Sequence, residues 1–183
     1  SWDLGTGAVD DGAGVAITME VLRQIKRRGL KPRRTIRLVL WGAEEVGLLG
    51  GYAYAKAHKA ELRKHVIGTE SDCGAGRIWK INRNINEAAT PVADKIAELV
   101  EPLGIAPGSD NPRSSGPDLS PLNALGFPGF RFVQDGSDYF DLHHTPDDTL
   151  DKIDPAAMDQ NVAAYLVFFW LAANSTGDDG CWP

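Results

Sequence analysis

Apolar positions along this chain recur with two different periods. Val15, Ile17, Val21, Leu22 and Ile25 fall on one helical face, which predicts a helix over 13–28 that stops at Gly29. Ile36, Leu38, Val39 and Leu40 instead make a nearly continuous apolar run over 35–41. Such a run suits a central strand of a sheet covered on both faces. Residues 48–59 read as a second helix, 65–70 as a short strand ending at Ser71-Asp72, and 77–81 as an edge strand. Thr90-Pro91 supplies a cap and first position for a third helix over 90–103. The Gly/Pro/Ser/Asp-rich stretch 105–121 reads as a loop running into a short helix near 119–125, and 129–133 as a strand. Asp154-Pro155 opens a last helix. Its apolar run, 162–173, is too short to span a bilayer and so predicts a buried helix.

Alternating helices and strands imply one α/β domain over 1–183 around a mostly parallel sheet, with 176–183 as a flexible tail. In such sheets ligands lie beyond the carboxyl ends of the strands. Glu44-Glu45, Asp72 and the segment after Val133 all fall at that edge.

Composition changes the picture little. The chain has 183 residues, 43% of them hydrophobic, and a net charge of −6, which argues against nucleic acid as a partner. The basic stretch 23–34 reads as a solvated helix end. Cys73 and Cys181 are too few for a disulfide scaffold; they form one bridge or stay as two free thiols. Asn174-Ser175-Thr176 is a glycosylation sequon that matters only in a secretory eukaryotic cell. The chain opens at Ser1 with no Met and no lead-in to its first motif, so it reads as processed or truncated.

The chemistry sits in acidic and histidine groups. Asp10, Glu45, Asp72 and His144 are oxygen and nitrogen ligands of the kind divalent metals take. Asp10 suits a bridge between two metals, because Gly7, Gly12 and Gly14 let the backbone come close. Singly, each has an ordinary explanation: Asp10 or Asp11 as a helix cap, Glu45 in a turn, Asp72 in an Asx turn, His144 on a surface loop. Together, at strand ends, they favour a metal site in which one carboxylate of the Glu44-Glu45 pair grips the metal and the other handles a proton. Gly5-Thr6-Gly7 with Gly12 and Gly14 lacks a preceding strand and the spacing of a phosphate loop.

Ser1-Trp2-Asp3, Gly7-Ala8-Val9-Asp10-Asp11-Gly12, Arg37-Leu38-Val39-Leu40-Trp41 with Glu44-Glu45, Glu70-Ser71-Asp72, and Tyr139-Phe140 followed by His143-His144 and Asp148-Thr149 occur in that order. This ordered set resembles the co-catalytic di-zinc exopeptidases, a family that includes bacterial leucyl aminopeptidases, and is nearest its plasma glutamate carboxypeptidase (carboxypeptidase Q) branch. The resemblance implies a three-layer α/β/α sandwich around a mixed, mostly parallel sheet, lacking its first strands. It implies a secreted or periplasmic zinc-dependent exopeptidase acting on a small peptide with a free terminus. It assigns Asp10 as the bridging ligand, Glu45 and His144 to one zinc, Asp72 to the other, and Glu44 as general base. His144 is favoured over its neighbour His143 because the family's ligand directly precedes Thr or Ser. Asp148 would support a ligating histidine, and Tyr139, Phe140 and the Asp118 loop would wall the pocket.

In the family a His-x-Asp pair precedes the Ser-Trp-Asp found here at Ser1, and its histidine completes the Asp72 zinc. That pair is absent from this chain, so two zinc ions are expected in the intact parent and one, or partial occupancy, here. Neither nucleic acid nor membrane is expected as a partner, and a homodimer is left open. The alternatives are a single-zinc glutaminyl cyclase-like acyltransferase and a non-catalytic binding homologue.

Overall fold

The computed structural model describes residues 4–109 and 115–176. Ser1-Trp2-Asp3, Cys181 and most of the expected tail lie outside them; Cys73 is half-buried with a free thiol.

Four strands form one mixed sheet in the order β1-β4-β2-β3. β1 (Gly68–Thr69) runs parallel to β4 (Gly129–Gln134), β4 antiparallel to β2 (Ile78–Asn84), and β2 parallel to β3 (Ala106–Pro107). Alternation along β4 turns Phe130 and Phe132 to the face on which α1 (Ala13–Arg27), α3 (Thr90–Val100) and α6 (Pro155–Asn174) pack. The core joins Ile17 and Val21 of α1 to Ile96 and Val100 of α3, and to Tyr165 and Phe168 of α6. Ring centroids lie 5.0 Å apart for Phe130–Phe168 and 4.7 Å for Phe132–Tyr165. A smaller cluster of Ala55, Leu119, Leu122 and Phe127 ties α2 (Leu49–His58) to α4 (Ser120–Asn123). The helix α6 is long and apolar enough to cross a membrane by length and composition, yet Ala164, Tyr165 and Phe168 on it are fully buried in the core. Its Asp154 cap accepts from the Ala156 N–H at 2.9 Å.

Two expectations change. The strand expected at the edge over 77–81 is the seven-residue β2, and it lies inside the sheet because the two-residue β3 covers it. That partner was hidden in a Gly/Pro-rich stretch that reads as loop. The run 35–41 joins no ladder, and among the described residues none of its members makes a backbone–backbone hydrogen bond. Its apolar pattern suits a covered strand, but a strand needs neighbours for its N–H and C=O groups, and the sheet ends at β1. A cavity of about 1070 Å³ is lined by Ile36, Leu38 and Leu40 of this run together with Ile67, Phe169 and Ala173.

Candidate metal centre

Asp10 sits in the turn Ala8–Gly12 that leads into α1. The Val9 and Asp10 N–H groups both donate to the Asp148 carboxylate, at 2.6 and 3.0 Å. Two further features let the turn close. Gly7 adopts φ 66°, a left-handed conformation that glycine reaches without strain. Gly14 lies so near its neighbours that a Cβ there would stand 2.0 Å from the Ser71 carbonyl oxygen. These contacts hold Asp10 against the carboxyl end of β1, where Asp72 lies.

Glu44 and Glu45 occupy a tight turn in which the Glu44 carbonyl accepts from Gly47 N at 2.9 Å and Leu48 N at 2.8 Å. His143 and His144 follow the short helix α5 (Tyr139–Leu142), with rings stacked at 3.6 Å and His144 at φ 59°. Glu45 Oε2 stands 2.8 Å from His144 Nε2, and Asp10 Oδ2 stands 3.3 Å from the same nitrogen and 3.7 Å from His143 Nε2. The ligand atoms of Asp10, His143 and His144 all lie within 4.8 Å of one another. Asp10 Oδ2 is buried and has no hydrogen-bond partner. A carboxylate oxygen left in this state, ringed by imidazole nitrogens and a second carboxylate, is what a divalent cation would satisfy. The residues present therefore fit a metal.

Burial, and then the Glu45 and Asp10 charges, raise the Glu44 carboxyl above its ordinary range; burial and Glu45 raise Asp10. Asp72 is pushed up to about 6 by burial and by Asp10, Glu44 and Glu45, against the pull of Arg131. Asp11 reaches about 9 through burial and the Asp72 charge, with its Oδ1 accepting from Gly14 N at 3.1 Å. These shifts describe a pocket of carboxylates short of positive charge.

A match of residues 1–169 to the profile of peptidase family M28 decides the lineage. The chain belongs to peptidase family M28. Human carboxypeptidase Q is 35% identical over 174 residues, covering 95% of this M28 chain and 36% of its own length. The crystal structure of a peptidase M28 precursor from Shewanella amazonensis superposes with TM-score 0.92 at 55% identity, over 96% of this chain and 40% of that one. A zinc aminopeptidase from Bacillus subtilis shares the fold, with TM-score 0.74 at 21% identity over 97% of this chain and 45% of that one. This M28 chain thus spans about 36% of the length of the human relative it matches.

Within the M28 fold, the structure brings Asp10, Glu45 and His144 together, with Glu44 lining the cavity beside them. Asp72 lines that cavity too; neither it nor Glu45 is among the three residues, Asp10, His143 and His144, whose ligand atoms lie within 4.8 Å of one another. His143, passed over in favour of His144, belongs to that group. The Asp148 carboxylate accepts from the Val9 and Asp10 N–H groups, and among the described residues no hydrogen bond joins it to a histidine. Tyr139 packs on His143 at 4.9 Å, and Phe140 stands exposed beside it. Sequence reasoning missed Glu70, which accepts from Asp118 N at 3.2 Å and Leu119 N at 2.8 Å and so fastens the 115–121 loop to the site. Its signal was the acidic residue two before Asp72, just past the end of β1.

Proposed function

We propose that this chain carries the catalytic centre of a zinc-dependent exopeptidase, with Asp10, Glu45 and His144 holding a zinc ion and Glu44 serving as general base. The observation that carries the reading is the buried, unpartnered Asp10 Oδ2 facing His144 and Glu45, with a basicity-raised Glu44 next in sequence. Zinc bound there supplies a Lewis acid for water and for the scissile carbonyl. Glu44 takes the proton of the attacking water on its carboxylate and returns it to the departing amine nitrogen, a role that suits a carboxyl whose proton affinity has been raised toward neutrality. Asp148 holds the turn that presents Asp10.

The expected metal content is one zinc per chain, at the group formed by Asp10, Glu45 and His144. Glu44→Gln should lower hydrolysis of a dipeptide by about a thousandfold or more while zinc content is unchanged. Turnover retained in the variant would remove Glu44 from the mechanism, and a chain that takes up no zinc would remove the metal.

A further inference from the structure

The segment that carries Asp72 belongs to no strand or helix, since β1 ends at Thr69 and β2 begins at Ile78. Buried side chains meet its carbonyls instead. On one flank of Asp72, the Tyr165 hydroxyl donates to the Glu70 carbonyl at 2.7 Å. On the other, Gln134 Nε2 donates to the Gly74 carbonyl at 2.8 Å and Asn161 Nδ2 to the Gly76 carbonyl at 2.9 Å. Gln134 Nε2 also donates to Asn161 Oδ1 at 3.0 Å, so the two amides brace each other. Gln134, Asn161 and Tyr165 are all buried. A buried amide costs stability unless its donors and acceptors are met; once met, it fixes the backbone it grips.

The same segment lies against the candidate metal centre. A β-carbon on Gly74 would stand 3.0 Å from Tyr139 Cδ2 and 3.7 Å from Val9 Cγ1. Val9 precedes Asp10, and the Tyr139 ring lies 4.9 Å from that of His143. The grip on Gly74 therefore reaches both the Asp10 turn and the histidine corner. Gln160 supplies a contrast. It is as buried as Gln134, yet its bonds of 3.2 Å or less go to the Ile78 N–H and to the Ile78 and Leu103 carbonyls. One longer contact, 3.5 Å, joins its Oε1 to Asn161 Nδ2, and no bond joins it to residues 70–76.

We infer that Gln134 and Asn161 are positioning residues for the metal centre. Their paired amides hold the Asp72 segment against Tyr139 and Val9, and through these two set how His143, His144 and Asp10 face one another. This rests on the exopeptidase reading and adds to it residues that govern the site without touching metal or substrate.

The test compares Gln134→Met with Gln160→Met, which keep the length of the side chain and remove its amide. Both should lower the midpoint of urea unfolding, because each leaves buried backbone groups unpaired. Only Gln134→Met should weaken zinc, by about tenfold or more in competition against a chelator, while Gln160→Met stays within about twofold of wild type. With cobalt(II) in place of zinc, only Gln134→Met should change the visible absorption bands, which report ligand geometry. In the metal-free chain, the ring resonances of His143 and His144 should move in Gln134→Met alone. Asn161→Ser carries the same comparison should Gln134→Met not fold. Equal weakening of zinc by the two Met variants, or wild-type affinity and spectra in Gln134→Met, overturns the assignment. A wild-type chain that takes up no zinc would sink the metal reading, and the positioning role then stands or falls on the ring resonances.

Discussion

At the scale of single residues, the centre depends on side chains that touch no ligand. Asp148 is buried, and both carboxylate oxygens are consumed by the backbone of the Asp10 turn. Its own carbonyl also accepts from Thr6 N at 2.8 Å and Thr6 Oγ1 at 3.0 Å, so one residue ties the turn down from both sides. In Asp148→Asn one oxygen becomes an NH₂ group facing an N–H donor. Hydrogen bonds to charged groups contribute about 1.5–3 kcal/mol, so the variant should lose about 2 kcal/mol in urea unfolding. Groups that orient a ligand typically govern about 10–100-fold of metal affinity, so zinc competition against a chelator should show weakening in that range. A stability loss with wild-type zinc affinity would mean that the clamp serves the fold alone.

At the scale of elements, what could be read from the sequence was what local periodicity determines. The spacing of Ile17, Val21 and Ile25 gave α1, and Asp154-Pro155 gave the start of α6. The candidate site was legible for a similar reason: Asp10, Glu44 and Glu45 lie in short motifs where neighbouring residues set the geometry. Pairing partners were not legible, because they come from distant sequence. Asp118 meets Glu70 across 48 positions, and β2 is covered by β3 from a stretch that reads as loop. The sequence favoured His144 over His143, whereas in the structure both rings reach Asp10, at 3.3 and 3.7 Å. The run 35–41 shows the limit best: its pattern is that of a core strand, but Leu40 is 55% exposed and its backbone lacks a ladder. Amides of residues 36–40 should therefore exchange with solvent at least about a thousandfold faster than those of residues 129–130 in β4, which sit between β1 and β2. Comparable protection in the two segments, measured by hydrogen exchange, would mean that 35–41 is paired in solution.

At the scale of the whole molecule, the site is an unbalanced charge distribution that the fold tolerates. Burial first, and mutual repulsion second, raise Asp11 to about 9 and Asp72 to about 6. Burial is also the largest cause for Glu70 at about 8 and Asp118 at about 7. The reference values are 3.8 for the aspartates and 4.5 for the glutamate. Each group therefore holds its proton in the folded chain at pH values where the unfolded chain has released it. Stability then falls as pH rises from about 4, where the unfolded chain gives up these protons, to about 9, where the folded chain gives up the last of them. With a chelator present, the unfolding midpoint should be higher at pH 5 than at pH 8. A divalent cation supplies the positive charge that these carboxylates lack and competes with their protons, so the stabilisation by added zinc should grow over the same interval. Midpoints measured at pH 5, 6.5 and 8, with chelator and with zinc, separate the two effects. A midpoint that rises with pH in the metal-free chain would contradict the burial of these acids, whereas a zinc increment that is flat or shrinks with pH would place the bound metal away from them.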